Sequence, residues 1–203
     1  MRCALKMGLV LVVILLMGLT SSVTAAASLP REQLKQTIDQ ILGVLRDPGL
    51  QTQDKKIQRR EILREIARVR FDYRKMSQLS LGKNWKTITD QEKKDFIDLF
   101  GTLLEDTYMA KIETYTNEKV VFLKDRVKKK KAQVNTKIIT KSVEIPIDYR
   151  MYRKKENLWM VYDIVIEGVS MIGNYRSQFG QMLERGSFES LMAKLKEKQN
   201  KTE

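Results

Sequence analysis

The side chains that could do covalent or acid–base chemistry are few in this chain. It has no histidine and one cysteine, Cys3, in 203 residues. Ser-His-Asp and Cys-His systems need an imidazole to take the nucleophile's proton, so both are excluded. Zinc sites that use histidine are excluded with them. Neither a Gly-x-Gly-x-x-Gly turn nor a Gly-x4-Gly-Lys-Ser/Thr phosphate loop occurs. Gly168-Val169-Ser170-Met171-Ile172-Gly173 approaches a nucleophile elbow. Its second glycine falls one place late, and no histidine exists to serve Ser170. Ser170 follows strand residues and reads as a helix N-cap. Asp163 is the best candidate for a buried general base, because aromatic and aliphatic residues flank it on a strand. It reads first as a hydrogen-bond anchor, satisfied by Arg176 or by backbone amides. Tyr149, Tyr162 and Tyr175 read as core residues with a polar tip. The sequence therefore assigns no catalytic residue, no metal ligand and no cofactor.

The first element sets the compartment. Arg2 and Lys6 precede an almost wholly apolar run, Leu9 to Leu19, and small residues close the segment at Ala25, Ala26 and Ala27. This is the layout of a secretory signal peptide, with cleavage near Ala27. The run is shorter than the ~20 residues that a bilayer span needs. Cys3 precedes it, so it is not placed to carry a lipid anchor and leaves with the leader. The expected product is an exported, periplasmic protein of residues 28–203. It has no disulfide and folds on its hydrophobic core alone. The formal charge of +13 falls to +11 once Arg2 and Lys6 are removed. Outside the cytoplasm that balance favours acidic protein patches or anionic membrane surfaces over nucleic acid.

The mature part reads as helices (28–116), strands (119–167) and helices again (170–198). Leu34, Ile38, Ile41, Leu42 and Leu45 follow Pro30 at helical spacing, and Asp47-Pro48-Gly49 stops that helix. A second helix is expected over Asp54–Val69, with Ile57, Ile62, Ile66 and Val69 inside and Arg59, Arg60, Arg64 and Arg68 on a solvated face. A third covers Tyr73–Leu81. Thr89 and Glu92 form a capping box for a helix over Asp90–Tyr115. Its stripe of Phe96, Leu99, Phe100, Leu103, Thr107 and Ile112 is widened by Leu104, Tyr108 and Tyr115. A helix with one edge on a core and the other on a ligand cavity has this pattern.

From Lys119 the period becomes two. Strands are expected over Lys119–Val127 and Ala132–Thr140, joined across Lys128-Lys129-Lys130-Lys131. A third run carries Val143, Ile145, Ile147, Tyr149 and Met151. Pro146 within it implies an edge position or a bulge. Arg153 to Asn157 reads as a turn. In the run Leu158–Glu167, Trp159, Val161 and Val165 point one way and Met160, Tyr162, Ile164 and Ile166 the other. An antiparallel sheet normally keeps one wet face, so a strand apolar on both faces needs a second apolar partner. Two helices close the chain, Ser170–Arg185, ended by Gly186, and Ser187–Glu197. The class is α+β: a curved antiparallel sheet of about four strands wrapped by N- and C-terminal helices.

The run Leu158-Trp159-Met160-Val161-Tyr162-Asp163-Ile164-Val165-Ile166-Glu167-Gly168-Val169-Ser170 resembles the signature of the MlaC family. These are the periplasmic phospholipid-binding components of the Mla lipid-transport pathway, also called toluene-tolerance auxiliary proteins. Asn174 to Phe179, Leu103-Leu104 with Tyr108, and Tyr149-Arg150 continue the likeness across the mature chain. Met171, where the family usually has leucine, and the lysine-rich hairpin depart from it. The resemblance implies a non-enzymatic shuttle with an NTF2-like cone and a lipid cavity. Its implied partners are phospholipid, an inner-membrane ABC transporter with an MCE-domain protein, an outer-membrane lipoprotein complex, and membrane surfaces touched in passing. A hopanoid-associated branch leaves other lipid cargo open. On this reading Tyr108, Tyr149, Val161, Ile164, Val169, Tyr175 and Phe179 line a deep apolar cavity beside the Trp159–Ile166 strand. Arg176 sits at its rim by the head group, and Lys128, Lys129, Lys130 and Lys131 dock partners. Two other classes make different demands. An enzyme on the same cone needs Asp163 exposed in a compact pocket, and a structural envelope protein needs a filled core.

Overall fold

The computed structural model describes residues 30–114 and 118–200. The expected leader and its cleavage site lie outside them. The chain runs α1 (Pro30–Arg46), α2 (Lys56–Arg70), α3 (Tyr73–Leu81) and α4 (Asp90–Glu113). Then come β1 (Lys119–Lys128), β2 (Lys131–Ile139), β3 (Glu144–Lys155), β4 (Leu158–Ile166) and β5 (Val169–Ser170), and finally α5 (Met171–Arg185) and α6 (Phe188–Asn200).

Local chemistry sets most of these boundaries. Asp47 accepts from the Gly49 N–H and turns the chain after α1 into a short 3-10 helix. Asp72 caps α3 through the Lys75 N–H, and Gly82 ends it at φ +57°, a conformation suited to glycine. Thr89 and Glu92 complete the expected capping box on α4. Ser170 caps α5 by accepting from the Gly173 N–H. Gly186 does end α5, but with extended backbone rather than the left-handed turn common at helix ends.

The strands form one antiparallel sheet in chain order, β1-β2-β3-β4-β5. It has five strands where about four were expected, because Val169–Ser170 adds a short fifth on the edge of β4. β3 also continues through Arg153 to Lys155, where a turn was expected. Pro146 is tolerated for a simple reason. Pairing of β3 with β4 stops at Ile147 opposite Ile166, so Pro146 has a strand neighbour only on the β2 side.

The interior has two large clusters and a small one. Phe96, Phe100, Leu103, Tyr175, Phe179 and Leu191 anchor a helical cluster of α3 to α6. Leu34 and Ile38 of α1 pack on Ala132, Val134, Met151, Trp159 and Val161 of the sheet. Leu45, Leu63 and Met109 join α1, α2 and α4.

α2 sits differently from the sequence expectation. Ile57 and Val69 are 82% and 65% exposed, whereas Leu63 and Arg70 are buried. Its arginines are not a solvated face: they bridge to α4. Arg59 and Arg60 hold Glu113 at 3.0 and 2.7 Å, Arg64 holds Asp106 at 2.7 Å, and Arg68 holds Glu105 at 3.0 Å. Glu105 and Asp106 are each 7% exposed. Arginine stems are apolar and can cover a helix face while their heads are paired. Counting isoleucines alone therefore turned the helix the wrong way.

Candidate functional site

Directly opposed residues of an antiparallel sheet share a face. The register therefore traces one face without ambiguity. Ala132, Met151 and Val161 are opposed in one row, and Val134, Tyr149 and Ile164 in the next. Thr136, Ile147 and Ile166 follow, then Ile138 and Ile145. β1 adds Val127, Phe122 and Val120 through Ala132, Thr136 and Ile138. On β2 and β3 the other face is largely polar, whereas on β4 it buries Met160 and Val165. Gln133 and Asn135 donate to Asp148, and Lys137 pairs with Glu144 at 2.8 Å.

A bulge in β4 puts Val161 and Ile164 on the same face. Met151 pairs with Val161 and Arg150 with Asp163, so Tyr162 is an extra residue without an opposite number. This corrects the expected alternation. Ile164 and Ile166 join Trp159 and Val161, and Val165 lies with Asp163 on the opposite side. The double apolarity of the strand is a phase shift as much as a second buried face.

α1 covers only part of this surface. Ala132, Val134, Met151 and Val161 beneath it are buried. Towards the Thr140–Val143 turn, Val120, Phe122, Ile138, Ile145, Ile147 and Ile166 are only half-buried. They make an apolar strip at one end of the sheet. Phe71 and Ile164 touch both large clusters, and Leu42 joins the sheet cluster to the small one, so the strip borders the seams between packing groups. Tyr149 stands between the covered and uncovered halves. Burial pushes its phenol up to about 12. Its hydroxyl has no hydrogen-bond partner among the described residues.

The predicted residues separate into groups. Tyr149, Val161 and Ile164 share the face just traced. Tyr175 and Phe179 are packed core: Phe100 meets their rings at 5.0 and 5.3 Å, edge to face. Tyr108 is half-buried beside the same cluster, with burial pushing its phenol up and Lys111 over its ring. Val169, on β5, stands opposite Ile166 and so extends that face at the sheet's edge, where it is 62% exposed. Arg176 is exposed on α5, with its guanidinium against Gly82. Lys128 to Lys131 form the β1–β2 turn, at the opposite end of the sheet from the strip.

Asp163 is an anchor. It accepts from Arg150 at 2.9 Å, from the Ser170 hydroxyl at 2.7 Å and from the Ile172 N–H at 3.0 Å. The cation is Arg150, not Arg176. The carboxylate holds the start of α5 to β4, and its lone pairs are engaged where a base would need one free. Trp159 and Val161 of β4 are buried, and the uncovered apolar surface lies at the Ile166 end of the strand. Two open grooves lie elsewhere, one between α5 and α6, lined by Gln178, Arg185 and Lys194, and the other between α4 and α6, lined by Asp95, Phe188 and Met192.

A buried polar network escaped the sequence reading. Arg70 donates to Thr37, to Gln33 and to the Trp159 carbonyl, and Gln33 accepts from the Trp159 N–H. Burial alone pushes the guanidinium below its ordinary range. Next to it, Asp72 accepts from Tyr152 and pairs with Lys154 at 3.0 Å. Burial would raise that carboxyl, but these partners and the Lys75 N–H outweigh it and hold it low. One signal existed: Arg70 lies seven residues after Leu63, on the same helical face.

Residues 35–197 match the family model described as MlaC protein. The intermembrane phospholipid transport system binding protein MlaC of Haemophilus influenzae is 27% identical over 122 residues, 58% of this chain and 57% of that protein. The chain thus aligns with a little over half the length of that relative. A phospholipid-binding protein from Ralstonia solanacearum, solved in complex with a phospholipid, superposes with a TM-score of 0.74. It is 25% identical, over 84% of this chain and 96% of that one.

Proposed function

The chain belongs to the MlaC family, and from that premise we propose that it is a periplasmic carrier which holds a phospholipid and moves it between an inner-membrane ABC transporter complex and an outer-membrane lipoprotein complex. The observation that carries this reading is the half-covered apolar strip of Val120, Phe122, Ile138, Ile145, Ile147 and Ile166. Burying a methylene is worth about 0.8 kcal/mol. Two sixteen-carbon tails therefore resist entry into water by about 20 kcal/mol, and a carrier must offer them an apolar surface instead. The strip supplies one. Tyr149 at its inner end gives a single hydroxyl to an ester or glycerol oxygen. The small α1–α2–α4 cluster, with three fully buried residues, is the part of the interior most readily displaced as acyl chains enter. Tyr108, Val161 and Ile164 then line the tails, and the head group stays at the open end. Residues 1–27 act as the leader that exports the chain.

Native purification, lipid extraction and mass spectrometry test this directly. About one phospholipid per chain is the expected result. Stoichiometric hopanoid or another lipid would redirect the cargo within the same carrier reading. A lipid-free chain, purified under conditions that retain tightly held lipid, would end it.

A further inference from the structure

The end of the sheet opposite the apolar strip is built from charge. Lys128 and Lys131 stand directly opposite each other, with Lys129 and Lys130 making the turn between them. Arg153 and Lys155 lead into the neighbouring β3–β4 turn. A hydrogen bond from the Arg153 N–H to the Lys130 carbonyl, 2.9 Å, ties the two turns together. All six side chains are exposed. None of them has an ion-pair partner among the described residues, whereas Lys154 between them is held by Asp72. Glu156 is the one carboxylate in these turns.

This arrangement works against the stability of the hairpin. Like charges directly opposite in an antiparallel pair repel. Lys129 sits at φ +55°, a left-handed conformation that crowds the Cβ of an ordinary L-residue. Glycine or asparagine is the usual choice there, and the adjacent turn does use Asn157, at φ +58°. On α2, by contrast, four arginines are matched by three carboxylates of α4. Lysines facing each other across a strained turn are therefore an arrangement that hairpin stability does not favour, and charge is the property they keep at the expense of the turn.

We propose that this two-turn cationic tip is a docking finger for an acidic protein surface. Two observations favour a protein over an anionic bilayer. Cationic segments that insert into bilayers add several apolar side chains, and beside these turns Val127 is the one exposed example among the described residues. A bilayer gripped at the tip would also lie far from the strip, because nine-residue β2 sets the two ends roughly 25–30 Å apart. A protein partner can span that distance and present an acidic seat to the tip and an apolar path to the strip. The tip stands apart from the lipid-facing residues, so this inference does not depend on which lipid they hold.

The test places a photo-crosslinking benzophenone amino acid at position 129, and separately at 155, in the full chain in cells that make it natively. Sequencing of the linked peptide identifies the contact. The expected adducts are with the donor and the acceptor protein alike, each through a segment rich in Asp and Glu. The position-129 adduct should fall at least about tenfold when the neighbouring turn is reversed by Arg153→Glu and Lys155→Glu. An adduct insensitive to that reversal overturns the proposal, as does no adduct from either position. So does salt-sensitive binding of the purified chain to vesicles of phosphatidylcholine with phosphatidylglycerol, lost on the same reversal, with no protein adduct. Thermal denaturation shows that each variant folds. Lipid content measured on the same preparations reports on the cargo separately from the docking.

Discussion

Tyr149 holds a free hydroxyl on an otherwise apolar face. The residue is half-buried, and a ligand oxygen beside its hydroxyl gains a hydrogen bond worth about 0.5–1.5 kcal/mol. Tyr149→Phe should leave urea stability unchanged or raised, and weaken ester-linked phospholipid by roughly three- to tenfold in a fluorescent-lipid exchange assay. Ether-linked lipid, whose oxygens are poorer acceptors, should lose less. With the phenol pushed up to about 12, it stays neutral at ordinary pH, so the effect should be flat from about pH 6 to 9. Asp163 makes the opposite kind of prediction. Asp163→Ala removes the acceptor of three hydrogen bonds and leaves Arg150 unpaired, and should cost about 3 kcal/mol in denaturant titrations. Alternation within β3 and β4 made Tyr149 and Val161 readable, since a strand's own pattern says which residues face inward. Exposure of Val169 was not readable, because it follows a tight turn onto the sheet's edge, opposite Ile166. Arg70 and Asp72 were invisible because their partners lie on β3, on β4 and, for Arg70, on α1, far along the chain.

At the scale of elements, α2 shows how a helix can be seated by charge. Burial raises Glu113, but hydrogen bonds from Arg60 and Arg59 outweigh it and hold the carboxyl below its ordinary range. A carboxyl depressed on folding stabilises the native state above its unfolded pKa, about 4.3. That contribution disappears as the pH falls through the folded value. Glu113→Gln should therefore cost about 2 kcal/mol at pH 7, and the gap from the parent should begin to close as the pH falls below the unfolded value and vanish below the lower, folded one in urea titrations. High salt should weaken the exposed part of the ladder first. The helices announced themselves through caps and apolar stripes, and their boundaries moved by at most three residues. The face of α2 did not, because its partner carboxylates belong to another helix and arginine reads as polar wherever it stands. The β4 bulge was likewise unreadable: Tyr162 looks like any strand residue until the register of β3 is known.

Across the whole molecule, packing grades from one side to the other. Fourteen buried residues knit α3 to α6, and seven join α1 to the sheet, but only three hold the α1–α2–α4 corner. Hydrogen exchange should follow that order, slowest in α4 and α5 and faster in α2. Removing bound lipid should raise exchange in residues 120–122 and 145–147, at the open end, and leave 132–134 beneath α1 nearly unchanged. Uniform change along the sheet would place the cargo elsewhere. The two ends of that sheet have a further consequence, for kinetics. A molecule with a single docking tip can hold a single partner at a time, however many partners share the acidic seat. Collection and delivery must then be separate visits, with the loaded carrier released in between. Steady-state transfer, measured while donor and acceptor concentrations are varied together, should give parallel double-reciprocal lines. Intersecting lines would require both partners to be gripped at once, which one tip cannot do.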